Sequence, residues 1–229
     1  MQEKETIVIS LGGSMIVPGG VDTNFVIKFK NLILKWVLKG HKFYIITGGG
    51  KTCRNYNDSL RNVLSPTNED LDWLGIAATR LNAEFIRICF EDQAYEKIVM
   101  DPDSIPETDK PILVGGGWKP GNSSDLAAIH IAKSIGATKI INLSSVDFVY
   151  DSDPKTNSDA KKFENITWKE YRSFISSEWD PGMNLPFDPI ASKEASEIGL
   201  EVVFIGGHNL ESLDNYLKGE AFTGTTIKS

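Results

Sequence analysis

Ile7-Val8-Ile9-Ser10-Leu11-Gly12-Gly13-Ser14 is a short apolar run that ends in two glycines and a serine. The pattern recurs in Phe43-Tyr44-Ile45-Ile46-Thr47-Gly48-Gly49-Gly50-Lys51 and in Ile112-Leu113-Val114-Gly115-Gly116-Gly117. Apolar runs of this length read as strands buried on both faces. Glycine directly after a strand lets backbone N–H groups approach a ligand with no Cβ in the way. An α/β sheet holds its ligands outside the carboxyl ends of its strands. Three such ends along one edge imply a large anion site, and a nucleotide is the first polyanion it suits.

Outward from these strands, helical and strand patterns alternate. Asp22 or Thr23 can cap a helix carrying Phe25, Phe29, Leu32, Ile33, Trp36 and Val37, stopped by Gly40. Residues 54–61 read as a short helix, with 62–68 as a loop. Residues 71–90 read as a long helix whose apolar face is Leu74, Ala77, Ala78, Leu81, Phe85 and Ile88. Residues 101–110 form an exposed connection. A helix over 124–135 has a small-residue face, Ala127, Ala128, Ile131 and Ala132, and Gly136 ends it. Strand 139–143 precedes a polar stretch, 144–162, whose length suggests a functional or disordered loop. Short helices near 167–176 and 189–198, strand 201–205, a helix near 209–217 and a strand near 222–227 follow. The expected architecture is a three-layer α/β/α sandwich on a mostly parallel central sheet. The chain reads as one domain with two lobes, about 1–135 and about 136–229.

The 229 residues carry a net charge of −7, which excludes general nucleic-acid binding but not a locally basic pocket. No apolar run approaches a membrane span, and no secretory signal is visible at the charged N-terminus. With only Cys53 and Cys89, a disulfide framework is not expected, and a reducing cytoplasm is the natural compartment. The segment Gly48–Thr52 resembles the end of a Walker A loop but lacks its leading glycine and spacing. Zinc ligands are too sparse, and no Gly-x-Ser-x-Gly elbow is present. Phosphoryl transfer remains, because it needs positioning and charge rather than covalent chemistry from the protein. Lys51, Arg54, Arg80 and Lys119 are candidate cations, and the helix starting near Ser123 offers its amino end to an anion. Asp188 before Pro189 suits a helix cap as well as a catalytic role, and Asp125 leans to a cap. His41, His130 and His208 lack partners at catalytic or ligand spacing and read as solvated or structural.

An ordered set of motifs carries a family resemblance. They are Ser10–Ser14, Gly48–Lys51 with Arg54, Asp72–Ile76 with Thr79 and Arg80, Pro120–Asp125, Val146-Asp147 with Val149-Tyr150, Asp153-Pro154-Lys155, Asp188-Pro189 and Gly224–Ile227. In order and spacing the chain resembles the amino acid kinase superfamily, and within it the archaeal-type uridylate kinases, over nearly its whole length. The resemblance implies transfer of the ATP γ-phosphate to UMP, with Mg2+ held mainly by phosphates and water, and hexamers assembled from dimers. It implies that Ser10, Gly12, Gly13, Ser14, Gly50, Arg54, Ser144, Ser145, Tyr150 and Asp153 serve ATP. Gly49, Asp72, Trp118, Lys119, Pro120, Gly121, Asn122, Ser123 and Ser124 would serve UMP. Ser14, Arg54 and Asp188 would act at the reaction centre.

Four departures stand out. Ser10 occupies the position where many superfamily kinases carry a lysine, and Ser144-Ser145 stands for Thr-Asn. Phe148 replaces a glycine, which implies a reshaped adenine-side loop, and Trp118-Lys119 replaces Thr-His. Lys51-Thr52-Cys53-Arg54 lacks the histidine that isopentenyl phosphate kinases use. Another small phosphate or carboxylate acceptor and a non-catalytic nucleotide binder are the alternatives.

Overall fold

The computed structural model describes residues 5–154, 156–175 and 186–229. Lys155 of the Asp153-Pro154-Lys155 motif, the end of the helix expected near 167–176 and the first four residues lie outside these. The apolar runs form β1 (Thr6–Leu11), β2 (Lys42–Thr47), β3 (Ile112–Gly115), β4 (Lys139–Ser144) and β8 (Glu201–Gly206). Two short strands, β7 (Asn165–Thr167) and β9 (Thr225–Lys228), complete a seven-stranded sheet in the order β3-β2-β1-β4-β8-β9-β7. The pairs β3–β2, β2–β1, β1–β4 and β4–β8 are parallel, and only β8–β9 is antiparallel.

Strand residues alternate between two cores. Ile7, Ile9 and Leu11 join one, with Phe29 and Trp36 of α2 (Thr23–Val37) and Leu213 of α8 (Leu210–Lys218). Val8 and Ile46 join the other, with α5 (Ser124–Ser134), α6 (Trp168–Ser173) and α7 (Pro189–Glu197). This is the expected α/β/α sandwich. Asp22 is the cap of α2, accepting from the Phe25 N–H, and Gly40 leaves the helix at φ 94°. Between β1 and β4 the sheet order reverses direction, and the carboxyl ends there flank a crevice.

Three local expectations change. The short helix expected at 54–61 is α3, Gly50–Val63, and it begins inside the second glycine cluster. The polar stretch 144–162 contains β5 (Val149–Tyr150), paired antiparallel with β6 (Lys162–Phe163). The long helix is α4, Asn68–Cys89, started by a Thr67–Asp70 capping box. Its inward face overlaps the expected one only in part: Ala78 is buried and Phe85 packs against the core, but the other buried residues are Leu71, Ile76, Thr79, Asn82, Ala83 and Ile86. Trp73, Leu81 and Ile88 are 49%, 63% and 57% exposed, so α4 carries an apolar stripe outward. Two buried polar residues explain the turn of the helix. The Thr79 hydroxyl accepts from the Gly117 N–H and donates to the Ile76 carbonyl, while Asn82 Nδ2 donates to the Gly48 carbonyl at 2.8 Å. No described helix is long and apolar enough to cross a membrane.

Candidate active site

The glycine clusters owe their composition first to one another. A Cβ on Gly13 would lie 2.1 Å from the Gly50 nitrogen, and one on Gly48 would lie 2.6 Å from the Gly13 nitrogen. The first two clusters therefore touch backbone to backbone. On its other side, the Gly12 N–H donates to the Leu143 carbonyl of β4 at 2.8 Å. The β1 glycines thus form a ridge joining the ends of β2 and β4. The third cluster has a different neighbour. Gly116 and Gly117 lie flat on α4, where a Cβ would meet Arg80 Cα at 3.0 Å and Thr79 Oγ1 at 2.7 Å.

A cavity opens on each side of the ridge. The first, about 220 Å³, lies between α3, α4 and the start of α5. Gly49, Asp72, Asn122, Ser123 and Ser124, expected to meet the acceptor, line it with Asp188, and so do Gly50 and Arg54, which were expected on the ATP side. The second, about 270 Å³, is bounded by Ser144, Ser145, Tyr150 and Asp153, the four residues expected on the adenosine side. Phe148, Phe174 and Pro154 add its apolar walls. Phe148 has no left-handed backbone, so the loop accepts a side chain there without strain. A cavity of about 430 Å³ opens between Thr6, His41, Thr138 and Tyr216, near the amino ends of the strands. No glycine loop reaches it, and α/β sheets do not place their ligands at that edge.

Arg54 is exposed at the first cavity, and its guanidinium makes no hydrogen bond or ion pair among the described residues. No side chain caps the first turn of α3; the Lys51 N–H donates to the Val17 carbonyl at 2.9 Å, which leaves the Gly50 and Thr52 N–H groups for an anion beside Arg54. Arg80 is committed elsewhere: its Nε donates to the Gly117 carbonyl and its terminal nitrogen to the Trp118 carbonyl, each at 3.0 Å. Asp72 accepts from the Gly121 N–H at 2.7 Å, and burial pushes its carboxyl above the usual range. Asp188 does two things at once. Its Oδ1 caps α7 through the Ile190 and Ala191 N–H groups, and its Oδ2 accepts from the Ser123 hydroxyl.

Asp125 is the main residue that sequence reasoning placed differently. Ser123, not Asp125, caps α5, through the Leu126 N–H. Asp125 instead turns its carboxyl inward, where Ser10 donates at 2.7 Å and Asn142 Nδ2 at 2.9 Å. It keeps a partly open surface toward the cavity, yet dense protein around the carboxyl and then the charge of Asp188 push its pKa up to about 7. Burial also raises Asp188, while Ser123 and two amides favour its charged form. Ser10 serves the Asp125 carboxyl and lines neither cavity.

Other expected residues sit at the margin. Trp118 turns its ring to His130, centroids 4.9 Å apart, and Lys119 Nζ lies 3.7 Å over the same ring. Neither lines a cavity, and Pro120 and Gly121 contribute only backbone: the Asn122 amide donates to the Pro120 carbonyl. His130 is also held by Asp103 and Glu194, and His208 by Asp147, which fits structural roles. Ser14 is half-buried in α1 (Gly13–Ile16), next to the ridge.

Comparison with known proteins agrees with this geometry. The model of the amino acid kinase family matches residues 5–206. Uridylate kinase from Methanocaldococcus jannaschii is 34% identical over 229 residues, covering 97% of this chain and 99% of that protein. Uridylate kinase from Pyrococcus abyssi is 31% identical over 225 residues, with the same coverage of 97% and 99%. The crystal structure of uridylate kinase from Archaeoglobus fulgidus matches with a TM-score of 0.79 at 30% identity, covering 98% of this chain and all of the other. UMP kinase from Bacillus anthracis shares the fold, with a TM-score of 0.75 at 19% identity. With the family model matching residues 5–206 and relatives more than 30% identical over nearly their whole length, this chain belongs to the amino acid kinase family.

Proposed function

We propose that this chain is a UMP kinase, transferring the γ-phosphoryl group of ATP to UMP to give UDP and ADP in pyrimidine nucleotide biosynthesis. The observation that carries the reading is the ridge. Gly12 abuts the strand end beside one cavity and Gly13 abuts the loop beside the other, so two nucleotides would meet over backbone amides. The uridylate kinase relatives, matched over nearly their full length, support the same acceptor.

In this reading UMP occupies the α3–α4 cavity, with its phosphate at Gly49 and Arg54 and its ribose near Asp72. ATP occupies the β4–β5 cavity, its base among Phe148, Tyr150 and Phe174. An oxygen of the UMP phosphate attacks the γ-phosphorus, and the bond from that phosphorus to the β–γ bridging oxygen breaks. The attacking oxygen is already anionic at neutral pH, so no general base is needed. The protein's work is alignment and neutralisation of charge. Gly13, Ser14 and Gly50 supply N–H groups, with the Gly12 N–H spent on the Leu143 carbonyl, and Arg54 supplies a guanidinium. Asp188 positions Ser123 at the cavity wall while fixing α7.

Magnesium would be carried by the phosphates and water. Oδ1 of Asp125 is already committed to Ser10 and Asn142, and the two oxygens of Asp188 to Ser123 and two amides. The lobe before about residue 135 takes the acceptor and the remainder takes the donor. A cytoplasmic homohexamer built from dimers fits the outward apolar stripe of Trp73, Leu81 and Ile88 on α4. The direct test is ATP turnover with Mg2+ against UMP, CMP, AMP, isopentenyl phosphate and acetylglutamate. UDP from UMP alone is the expected result. Tight ATP binding with no turnover of any acceptor would replace this reading with a non-catalytic nucleotide binder.

A further inference from the structure

Asn57 lies on α3 one turn after Cys53, with 3% of its surface exposed, and it lines the α3–α4 cavity. Its Nδ2 donates to Cys53 Sγ at 3.8 Å, and its Oδ1 is enclosed with no partner. An unpaired buried carbonyl is costly and calls for an explanation. Leucine would fill the same space without that cost, so stability does not account for asparagine here. The carboxylates of this wall are already paired: Asp72 with the Gly121 N–H, Asp188 with Ser123, Asp125 with Ser10 and Asn142. Among the described side chains lining the cavity, Asn57 alone keeps a buried oxygen unpaired.

We propose that Asn57 is a specificity-determining residue of this cavity, whose amide oxygen accepts a hydrogen bond from an N–H or O–H donor of the bound nucleoside monophosphate. The inference rests on the UMP kinase reading. The open amino end of α3 and Arg54 fix the phosphate, and Asn57 follows Arg54 by one helical turn, alongside the nucleoside. The terminal amide torsion is soft, so a rotation brings the oxygen toward the cavity. A ribose hydroxyl and the uracil N3–H are both donors of the required kind. Cytosine presents an acceptor at N3 and would face the carbonyl unfavourably.

Steady-state kinetics of the full chain with UMP, dUMP and CMP, alongside thermal unfolding, test this with Asn57→Leu and Asn57→Asp. The leucine variant is expected to raise KM for UMP roughly tenfold, leave kcat within about twofold and unfold no earlier than the wild type. The aspartate variant keeps an acceptor oxygen and is expected to hold KM within about threefold of the wild type. If the partner is the ribose 2′-hydroxyl, the preference for UMP over dUMP collapses in the leucine variant. If it is N3–H, the preference for UMP over CMP collapses instead. An unchanged KM for UMP in the leucine variant overturns the inference, and so does an equal loss in both variants, which would make the amide a donor. Absence of UDP formation by the wild-type enzyme overturns the parent reading, and this inference with it, before any variant is compared.

Discussion

The α3–α4 cavity is walled by charged and amide groups carried mostly on helices, whereas the β4–β5 cavity sets rings and prolines beside its serines and aspartates. On the first side, the three carboxylates are each held by a second residue: Asp72 by Gly121, Asp188 by Ser123 and Asp125 by Ser10. On the second, Phe148, Tyr150 and Phe174 offer surface rather than fixed hydrogen bonds. Fixed donors and acceptors discriminate between ligands steeply, because a mismatch leaves buried groups unpaired. Apolar rings bind any base that stacks. The acceptor side is therefore built to choose and the donor side to hold.

The ridge is where both sides fail together. Gly13→Ala places a methyl group against the Gly50 nitrogen, and backbone has no rotamer by which to yield. Destabilisation of more than ~3 kcal/mol is expected, read as a large drop in unfolding midpoint with loss of both substrates' binding. Unchanged ATP affinity in that variant would separate the two cavities after all. Next in size, Arg54→Ala should lower kcat/KM by about a hundredfold or more while leaving the melting temperature nearly unchanged, since this exposed side chain has no protein partner. If kcat/KM survives, the open end of α3 suffices for the anion.

A titration sharpens the contrast further. The folded-state pKa of Asp125 lies near 7, above its ordinary value, so the native state holds the proton more tightly than the unfolded chain does. Its contribution is fully present below about pH 4 and is lost as pH rises through about 7. Urea unfolding midpoints should fall between pH 5 and pH 8, and Asp125→Asn should flatten that fall. An equally steep fall in the variant would assign it to other groups. The smallest effect is expected on the donor side. Phe148→Ala should raise KM for ATP about three- to tenfold and leave KM for UMP unchanged. A shift in the UMP value instead would put Phe148 in communication with the acceptor.

How far the sequence foretold this depends on where each residue sends its side chain. Strands ending in glycine were legible because buried parallel strands need no polar alternation, and all three lie where the apolar runs placed them. The α4 face was legible only in part: Ala78 and Phe85 turn to the core, but Leu81 and Ile88 do not, and Thr79 and Asn82 face inward because glycine-loop backbone awaits their hydrogen bonds. Asp125 misled for a similar reason, since an acidic residue near a helix start satisfies capping statistics whether or not it caps. The two-residue strands β5 and β6 carry too few positions for periodicity to register. Cys53 and Asn57, at helical spacing on a polar helix, gave no sign of facing a cavity until α4 closed over them.

The parallel pairing of β1 with β4 has a consequence for biosynthesis. Val8 meets Ile140 across that pair, so the first strand to leave the ribosome waits for a partner more than a hundred residues downstream. At ordinary translation speeds that wait is on the order of ten seconds. Until then the β1 glycines have met β2 and not β4. A nascent chain halted before residue 139 lacks Asn142 and Asp188 as well as β4, so the wall of the first cavity, like the second cavity, is completed only by the later half of the chain.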